Sequence, residues 1–226
     1  RRFGTRSTLA FLTLAAAPTL TSAQTTPTEI AAAADVLAEI EALQERLDPG
    51  ARAARLAASG GAAKQSVMDA AGTWWDREMQ ALSDHIGRNP EVGWEEFASV
   101  DTLVAVLEAH GFEVEVGVAA LPTAFVATWA SPAGASGPTL GLIGEYDALR
   151  DADGPFHGDQ HNAQTPIALA AALALRDHMG ESGTPGRIKL FGTPAEEVGP
   201  PAKTIMLDAG VFEGTDILIR SHSSVS

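Results

Sequence analysis

The sequence contains no cysteine. Disulfide bonds and thiolate-bound metals are therefore excluded, and any metal must be held by nitrogen and oxygen ligands. Basic residues are scarce, with 15 Lys and Arg against 29 Asp and Glu and a formal net charge of −14. This balance argues against nucleic acids and anionic membranes as partners, because phosphate binding requires a basic surface.

The apolar run near the N-terminus, Leu9–Leu20, is too short to cross a bilayer, which requires about 20 residues. Three arginines precede this run, and the small residues Thr21–Ala23 follow it. This order predicts an export signal over residues 1–23, a periplasmic or secreted protein, and no membrane span after cleavage. A membrane anchor and a chance pattern are the alternatives.

Residues 24–65 are predicted to form a linker and a helical extension. Apolar side chains recur at helical spacing from Glu29 to Leu47, and the turn sequence Asp48-Pro49-Gly50 ends this pattern. We assign no chemistry to the extension. A helix that binds a partner protein is the alternative interpretation.

The remaining segment, residues 66–226, is predicted to form one α/β domain. Amphipathic helices come first, at Ser66–Arg88 and Glu95–His110. The predicted strands are Phe112–Val116, Ala124–Trp129, Thr139–Gly144, Arg187–Phe191 and Asp216–Arg220, with helices at Thr165–Arg176 and Ala202–Ala209 between the last three. Strands separated by crossover helices predict an α/β fold with a mostly parallel sheet and flanking helices.

A short loop before the helix at Thr165 carries a dense set of polar side chains. It reads Phe156-His157-Gly158-Asp159-Gln160-His161-Asn162, and within it Asp159 and His161 can turn toward one point. A metal needs about four ligands, so this loop alone is incomplete. The other ligands must come from elsewhere in the chain.

Acids and a histidine follow directly on the last three predicted strands. In chain order they are Glu145, Asp147, Glu196, Glu197 and His222. Parallel strands end at one edge of a sheet, where open α/β sheets bind their ligands. We therefore expect these side chains to converge with those of Asp159 and His161.

A cluster of carboxylates without a cation would repel itself and raise its own pKa values. One or two divalent cations relieve this repulsion, and imidazole and carboxylate ligands suit Zn²⁺, Mn²⁺ or Co²⁺. The adjacent side chains of Glu196 and Glu197 point in different directions. One of them can bind a metal while the other acts as general base toward metal-activated water.

Four motifs stand out in the predicted domain. They are Asn89-Pro90-Glu91-Val92-Gly93-Trp94-Glu95-Glu96, Leu121-Pro122-Thr123-Ala124-Phe125, Gly144-Glu145-Tyr146-Asp147-Ala148-Leu149 and Pro194-Ala195-Glu196-Glu197. Together they resemble the amidohydrolase branch of the aminoacylase and carboxypeptidase metallopeptidases. The second and third motifs are most similar to the p-aminobenzoyl-glutamate hydrolase type within this branch.

The resemblance implies a site for two divalent metal ions. Its implied metal ligands are Asp159 as the bridge, His161, Glu197 and His222. Glu196 is implied as the general base, and Asp147 as the acid that orients a ligand. Glu145 stands where other branches have a histidine ligand, and its role is left open.

The sequence departs from this branch at the metal loop and in its extent. Members usually read G-H-G-C-G-H-N, so Asp159 stands in place of a bridging cysteine and Gln160 in place of a glycine. Sister branches use aspartate as the bridge. Relatives also continue through a lid and dimerisation domain to a last histidine ligand, so we expect a part of a longer, homodimeric protein.

These observations lead to the hypothesis of a metal-dependent hydrolase of amide bonds. Its small-molecule substrates are expected to be N-acyl or aryl-amido amino acids, such as p-aminobenzoyl-glutamate, or small dipeptides. Two divalent ions, Zn or Mn with Co as a further choice, are the expected cofactors. The alternative is a non-catalytic periplasmic metal- or solute-binding protein or an inactive fragment, against which the Glu196-Glu197 pair argues.

Overall fold

The computed structural model describes residues 26–59 and 61–222. The predicted export signal at residues 1–23 lies outside these ranges. The chain divides into two compact units, one up to Ala58 and one from Ser59 onwards. Each unit is described by itself below.

The first unit consists of two consecutive helices, α1 (Pro27–Leu47) and α2 (Pro49–Ala58). Helix α1 forms where the helical spacing predicted it, whereas the alanine-rich sequence of α2 carried no clear signal. The exposed apolar side chains of α1 are Ile30, Val36, Leu37, Ile40 and Leu43. Among all helices in residues 26–59 and 61–222, none combines the length and apolar character that a bilayer crossing requires.

The second unit opens with a continuous helical run. Helix α3 (Gly61–Trp74) passes through a π-helical turn at Trp75–Met79 into α4 (Gln80–Arg88). The run begins earlier than the predicted Ser66 and ends at the predicted residue. Helix α5 (Phe97–Ala109) follows and lies within the second predicted helix.

Seven strands are found in the described part of the second unit. They are β1 (Glu113–Val116), β2 (Phe125–Ala130), β3 (Thr139–Gly144), β4 (Leu149–Asp151), β5 (Gly154–Phe156), β6 (Arg187–Gly192) and β7 (Ile217–Arg220). Five of them form one sheet in the order β1-β2-β6-β3-β7, and β4 and β5 form a separate hairpin.

The predicted α/β fold with flanking helices is confirmed, but its sheet is mixed. Strands β6 and β7 run parallel to β3, whereas β2 pairs antiparallel with both β1 and β6. The connections explain this division. The helices α6 (His161–Ser182) and α7 (Ala202–Asp208) provide the long crossovers that parallel strands need, while residues 131–138 contain no helix and reverse the chain.

The core lies between α6 and the sheet. Leu169 and Leu173 of α6 are fully buried in the same apolar cluster as Ile188 and Leu190 of β6. Burial of each such side chain stabilises the fold by roughly 1.5–3 kcal/mol. This packing holds the first residues of α6 beside the carboxyl ends of the parallel strands.

Candidate metal centre

Glu145 and Asp147 are fully buried at the carboxyl end of β3. Helix α6 fixes this segment: the Glu145 N–H donates to Gln164 Oε1 at 2.6 Å, and Thr165 Oγ1 donates to the Glu145 carbonyl at 2.7 Å. The close approach requires glycine at position 144, because a Cβ on Gly144 would lie 2.4 Å from Thr165 Oγ1. Strand β3 and the start of α6 are thereby joined at the site.

His161 is the first residue of α6 and is also fully buried. Its Nδ1 lies 3.0 Å from Asp147 Oδ1 and 3.1 Å from the Asp147 carbonyl oxygen. Both partners are acceptors, so Nδ1 carries the hydrogen and Nε2 of the neutral ring presents a lone pair on the other side. Burial alone would lower the pKa of His161, but the hydrogen bond and charge of Asp147 outweigh it and raise the pKa.

Three further potential ligand atoms surround His161 Nε2. Asp159 Oδ2 lies 3.0 Å away, His222 Nε2 3.2 Å and Glu145 Oε2 3.3 Å. His222 Nε2 is in turn 3.8 Å from each of these two carboxylates. Side chains from the loop before α6, from the end of β3 and from the segment after β7 therefore meet at one imidazole nitrogen.

Asp159 and Glu197 share a hydrogen bond between their carboxyl groups. The Glu197 N–H donates to Asp147 Oδ2 at 2.9 Å, and the Glu197 carboxyl group lies 4.0 Å from His161 Nδ1. The hydrogen bond to Asp159, with burial and charge repulsion, raises the pKa of Glu197 to about 7. Burial would raise the pKa of Asp159, but its contacts with Glu197 and His161 outweigh this and lower it.

Two overlapping groups of side chains have the spacing of metal ligands, with their ligand atoms within 4.8 Å of one another. The first group consists of Asp159, His161, Glu196 and Glu197, and the second of Glu145, His161 and His222. Because His161 belongs to both, the two groups form one continuous site. Within it, the Glu196 side chain is 30% exposed while that of Glu145 is completely buried.

The structure brings every site residue predicted from the sequence into this cluster. The residues concerned are Asp147, Asp159, His161, Glu196, Glu197 and His222. Asp147 contacts His161 through one carboxylate oxygen and the Glu197 backbone through the other, an arrangement that orients both residues. One detail differs from the prediction, because His161 opens α6 instead of standing in the loop.

Three further residues at the site were not predicted: Gln164, Lys203 and Arg220. Lys203 Nζ contacts Glu145 Oε1, and an Arg220 nitrogen lies 3.5 Å from the same oxygen. Gln164 could have been predicted, because a residue three positions after His161 shares its face of the helix. Lys203 and Arg220 carried no such signal, because their positions depend on how α7 and β7 pack against the sheet.

The four sequence motifs pack against one another beside the site. Glu96 Oε1 accepts the Ala195 N–H at 2.8 Å, and Glu96 Oε2 accepts the Thr123 hydroxyl at 2.9 Å. The Thr123 carbonyl accepts the Tyr146 hydroxyl at 2.5 Å. Burial raises the pKa of Glu96, although both hydrogen bonds oppose the shift. The motifs therefore support the turn that carries the Glu196-Glu197 pair, a role for Glu96 that was not predicted.

The chemistry of this cluster fits divalent metal ions. It offers imidazole nitrogens and carboxylate oxygens, which suit Zn²⁺, Mn²⁺ and Co²⁺. His161 is held by Asp147 in the manner of metal-binding histidines, whose second ring nitrogen is bonded to a carboxylate or a carbonyl group. The proton between Asp159 and Glu197 relieves a repulsion that a cation would also relieve.

Comparison with known proteins identifies relatives with amide-hydrolysing names. No protein-family model matches the chain. The chain is 34% identical over 155 residues to a p-aminobenzoyl-glutamate hydrolase polypeptide of Escherichia coli strain K12, over 62% of this chain and 31% of that protein. The predicted family resemblance is confirmed. The Xaa-Arg dipeptidase of Mus musculus is 35% identical over 154 residues, which cover 65% of this chain and 35% of the dipeptidase.

Solved structures share the fold of the chain. A dinuclear metal-binding peptidase of the M20 family from Bacillus subtilis matches with a TM-score of 0.55 and 20% identity, over 68% of this chain and 44% of the peptidase. The aminobenzoyl-glutamate utilization protein of Klebsiella pneumoniae matches with a TM-score of 0.53 and 21% identity, over 72% and 46%. The chain spans about a third of the length of the two curated relatives.

Proposed function

We propose that the chain is the metal-binding part of a hydrolase that cleaves amide bonds in N-acyl or aryl-amido amino acids or in small dipeptides. The observation that carries this proposal is the Glu196-Glu197 pair within a cluster that has metal-ligand spacing. The names of the relatives, p-aminobenzoyl-glutamate hydrolase and Xaa-Arg dipeptidase, support this substrate class.

The residues that hold the metal in this proposal are Asp159, His161, Glu197 and His222. Asp159 suits the bridging position, because it contacts His161 on one side and Glu197 on the other. Zn²⁺ or Mn²⁺, when bound, supplies a Lewis acid that polarises the amide carbonyl and lowers the pKa of water. Asp147 keeps His161 and Glu197 in place through its two oxygens.

Glu196 is the proposed general base. Its side chain is partly exposed, so water and substrate can reach it, and it is not tied to Asp147 as the Glu197 backbone is. The carboxylate takes a proton from water as the oxygen adds to the amide carbonyl carbon. It returns this proton to the leaving nitrogen, so that one water and one amide give a carboxylic acid and an amine.

The substitution Glu196→Gln tests this assignment. We expect hydrolysis of p-aminobenzoyl-glutamate to fall by at least about 100-fold, because general acid–base catalysis contributes factors of this size. Elemental analysis of the same samples should give an unchanged metal content. The matched control is Glu95→Gln, which removes the same charge from an exposed position next to a buried glutamate.

The other outcomes decide between the two candidate functions. Metal loss from the Glu196→Gln variant would make Glu196 a ligand and contradict its role as base. A wild-type chain that binds about two ions and hydrolyses none of these substrates would favour the metal-binding protein. A wild-type chain that binds no ions would overturn the proposal.

We further propose that the protein is exported to the periplasm or secreted and that it acts as a homodimer. The sequence pattern of residues 1–23 supports export. Resemblance to the amidohydrolase branch supports the dimer. N-terminal sequencing of the mature protein and analytical ultracentrifugation test the two points separately.

A further inference from the structure

Glu145 is a fully buried carboxylate to which the proposed function assigns no role. Its two oxygens have different neighbours. Oε1 contacts Lys203 and lies 3.5 Å from Arg220, so cations compensate this oxygen. Oε2 faces the two histidines, 3.3 Å from His161 Nε2 and 3.8 Å from His222 Nε2.

The atoms Glu145 Oε2, His161 Nε2 and His222 Nε2 form a triangle with sides of 3.2, 3.3 and 3.8 Å. Two ligand atoms about 2.0 Å from a tetrahedral metal lie about 3.3 Å apart, so one ion can contact all three atoms. We infer that Glu145 is a ligand of the ion that His161 and His222 hold. This inference rests on the proposed function and adds a ligand to its metal site.

Gln164 positions Glu145 for this role. Its Nε2 donates to Glu145 Oε2 at 2.8 Å and to the Ser221 carbonyl at 2.6 Å. One amide group therefore joins the carboxylate to the residue that directly precedes His222. Outer partners of this kind typically orient metal ligands and keep them in the required geometry.

The charge of the site favours a ligand role over a purely structural ion pair. A carboxylate needed only to neutralise Lys203 could turn both oxygens toward the cations. In the structure one oxygen is left on the histidine side, where it meets ring nitrogens. Lys203 and Arg220 then act as compensation for the excess negative charge of a carboxylate-rich site.

Cobalt(II) chloride provides the test, because its visible absorption reports ligand number and type. The full chain, freed of metal with a chelator, is titrated as wild type, Glu145→Gln, Glu145→His and the control Glu95→Gln. Loss of an outer partner costs about 10–100-fold in affinity, so loss of a ligand should weaken one cobalt ion by at least about 100-fold. The Glu145→His variant should keep the stoichiometry but shift the absorption bands, because a nitrogen replaces an oxygen ligand.

The outcomes separate this inference from the proposed function. A wild type that binds no cobalt overturns both. A wild type that binds cobalt, with unchanged affinity in Glu145→Gln, overturns the inference alone. If Glu145→Gln fails to fold, as judged by circular dichroism, Glu145→His decides: shifted bands support the ligand role, and a wild-type spectrum overturns it.

Discussion

At the scale of single residues, the hydrogen bond between Asp159 and Glu197 connects the site to pH. The pKa of Glu197 is raised to about 7 and that of Asp159 is lowered, so below about pH 7 the pair retains one proton. A carboxylate that binds a metal must be ionised. Metal binding therefore has to expel this proton whenever it is present.

Metal affinity should consequently depend on pH in one direction. Below about pH 7 we expect roughly one proton to be released per chain on binding, and affinity to rise about tenfold per pH unit. Above this pH the contribution of Glu197 should vanish. Isothermal titration calorimetry at pH 6 and pH 8, in buffers that differ in ionisation enthalpy, measures the released protons. Equal proton release at both values would contradict the shared proton.

Gln160 provides a second prediction at this scale. It precedes α6 with φ 80°, in the left-handed region where a side chain is strained and where the resembling branch has glycine. Gln160→Gly should raise the free energy of unfolding by up to about 1 kcal/mol, since relief of strain exceeds the added chain entropy. Urea unfolding measures the change. Gln160→Ala keeps the Cβ and should bring no such gain; equal stability of both variants would show that the strain is absent.

The candidate site was largely predictable from the sequence, for a physical reason. Side chains that follow parallel strands must meet at one edge of the sheet, so Asp147, Glu197 and His222 could be grouped without coordinates. The partners of Glu145 were not predictable in this way. Lys203 comes from α7, and no rule of strand order specifies which residue of a short helix faces the site.

At the scale of elements, the turn that carries the Glu196-Glu197 pair depends on a buried carboxylate from a distant motif. Glu96 lies immediately before α5 and accepts hydrogen bonds from the Ala195 N–H and the Thr123 hydroxyl. Ala195 itself has φ 52°. A backbone in this conformation persists only when its surroundings hold it there.

The substitution Glu96→Gln should therefore destabilise the chain and loosen the site. An amide nitrogen cannot accept a hydrogen bond, so one buried donor is left unpaired at a cost of about 1–3 kcal/mol. Urea unfolding and cobalt titration measure stability and metal affinity together. The exposed neighbour Glu95 provides the control variant Glu95→Gln, which should change neither. A Glu96→Gln chain as stable as this control would remove Glu96 from the support of the turn.

The elements themselves were predictable to different degrees. The strands β3 and β6 form where continuous apolar runs predicted buried strands, because both faces are covered. The antiparallel direction of β2 was not predicted. It depends on the short connection at residues 131–138, and a connection of this kind shows its consequence only once the neighbouring strands are known.

At the scale of the whole molecule, all residues of the candidate metal centre belong to the unit that begins at Ser59. Deletion of residues 1–58 should therefore leave the cobalt stoichiometry unchanged and alter the free energy of unfolding of this unit by no more than about 0.5 kcal/mol. The measurement compares the two chains by titration and urea unfolding. Loss of cobalt binding in the shortened chain would show that the first unit contributes to the site.

Strand β7 is the outermost strand of the sheet and, within the described residues, pairs on one side only, with β3. It leads directly to His222, so an ion held by this histidine fastens the edge of the sheet to the interior. Fraying of the edge and escape of the ion then become one event. The amide hydrogens of Ile217–Arg220 should exchange with solvent more slowly as metal concentration rises, by the factor with which binding stabilises the closed state.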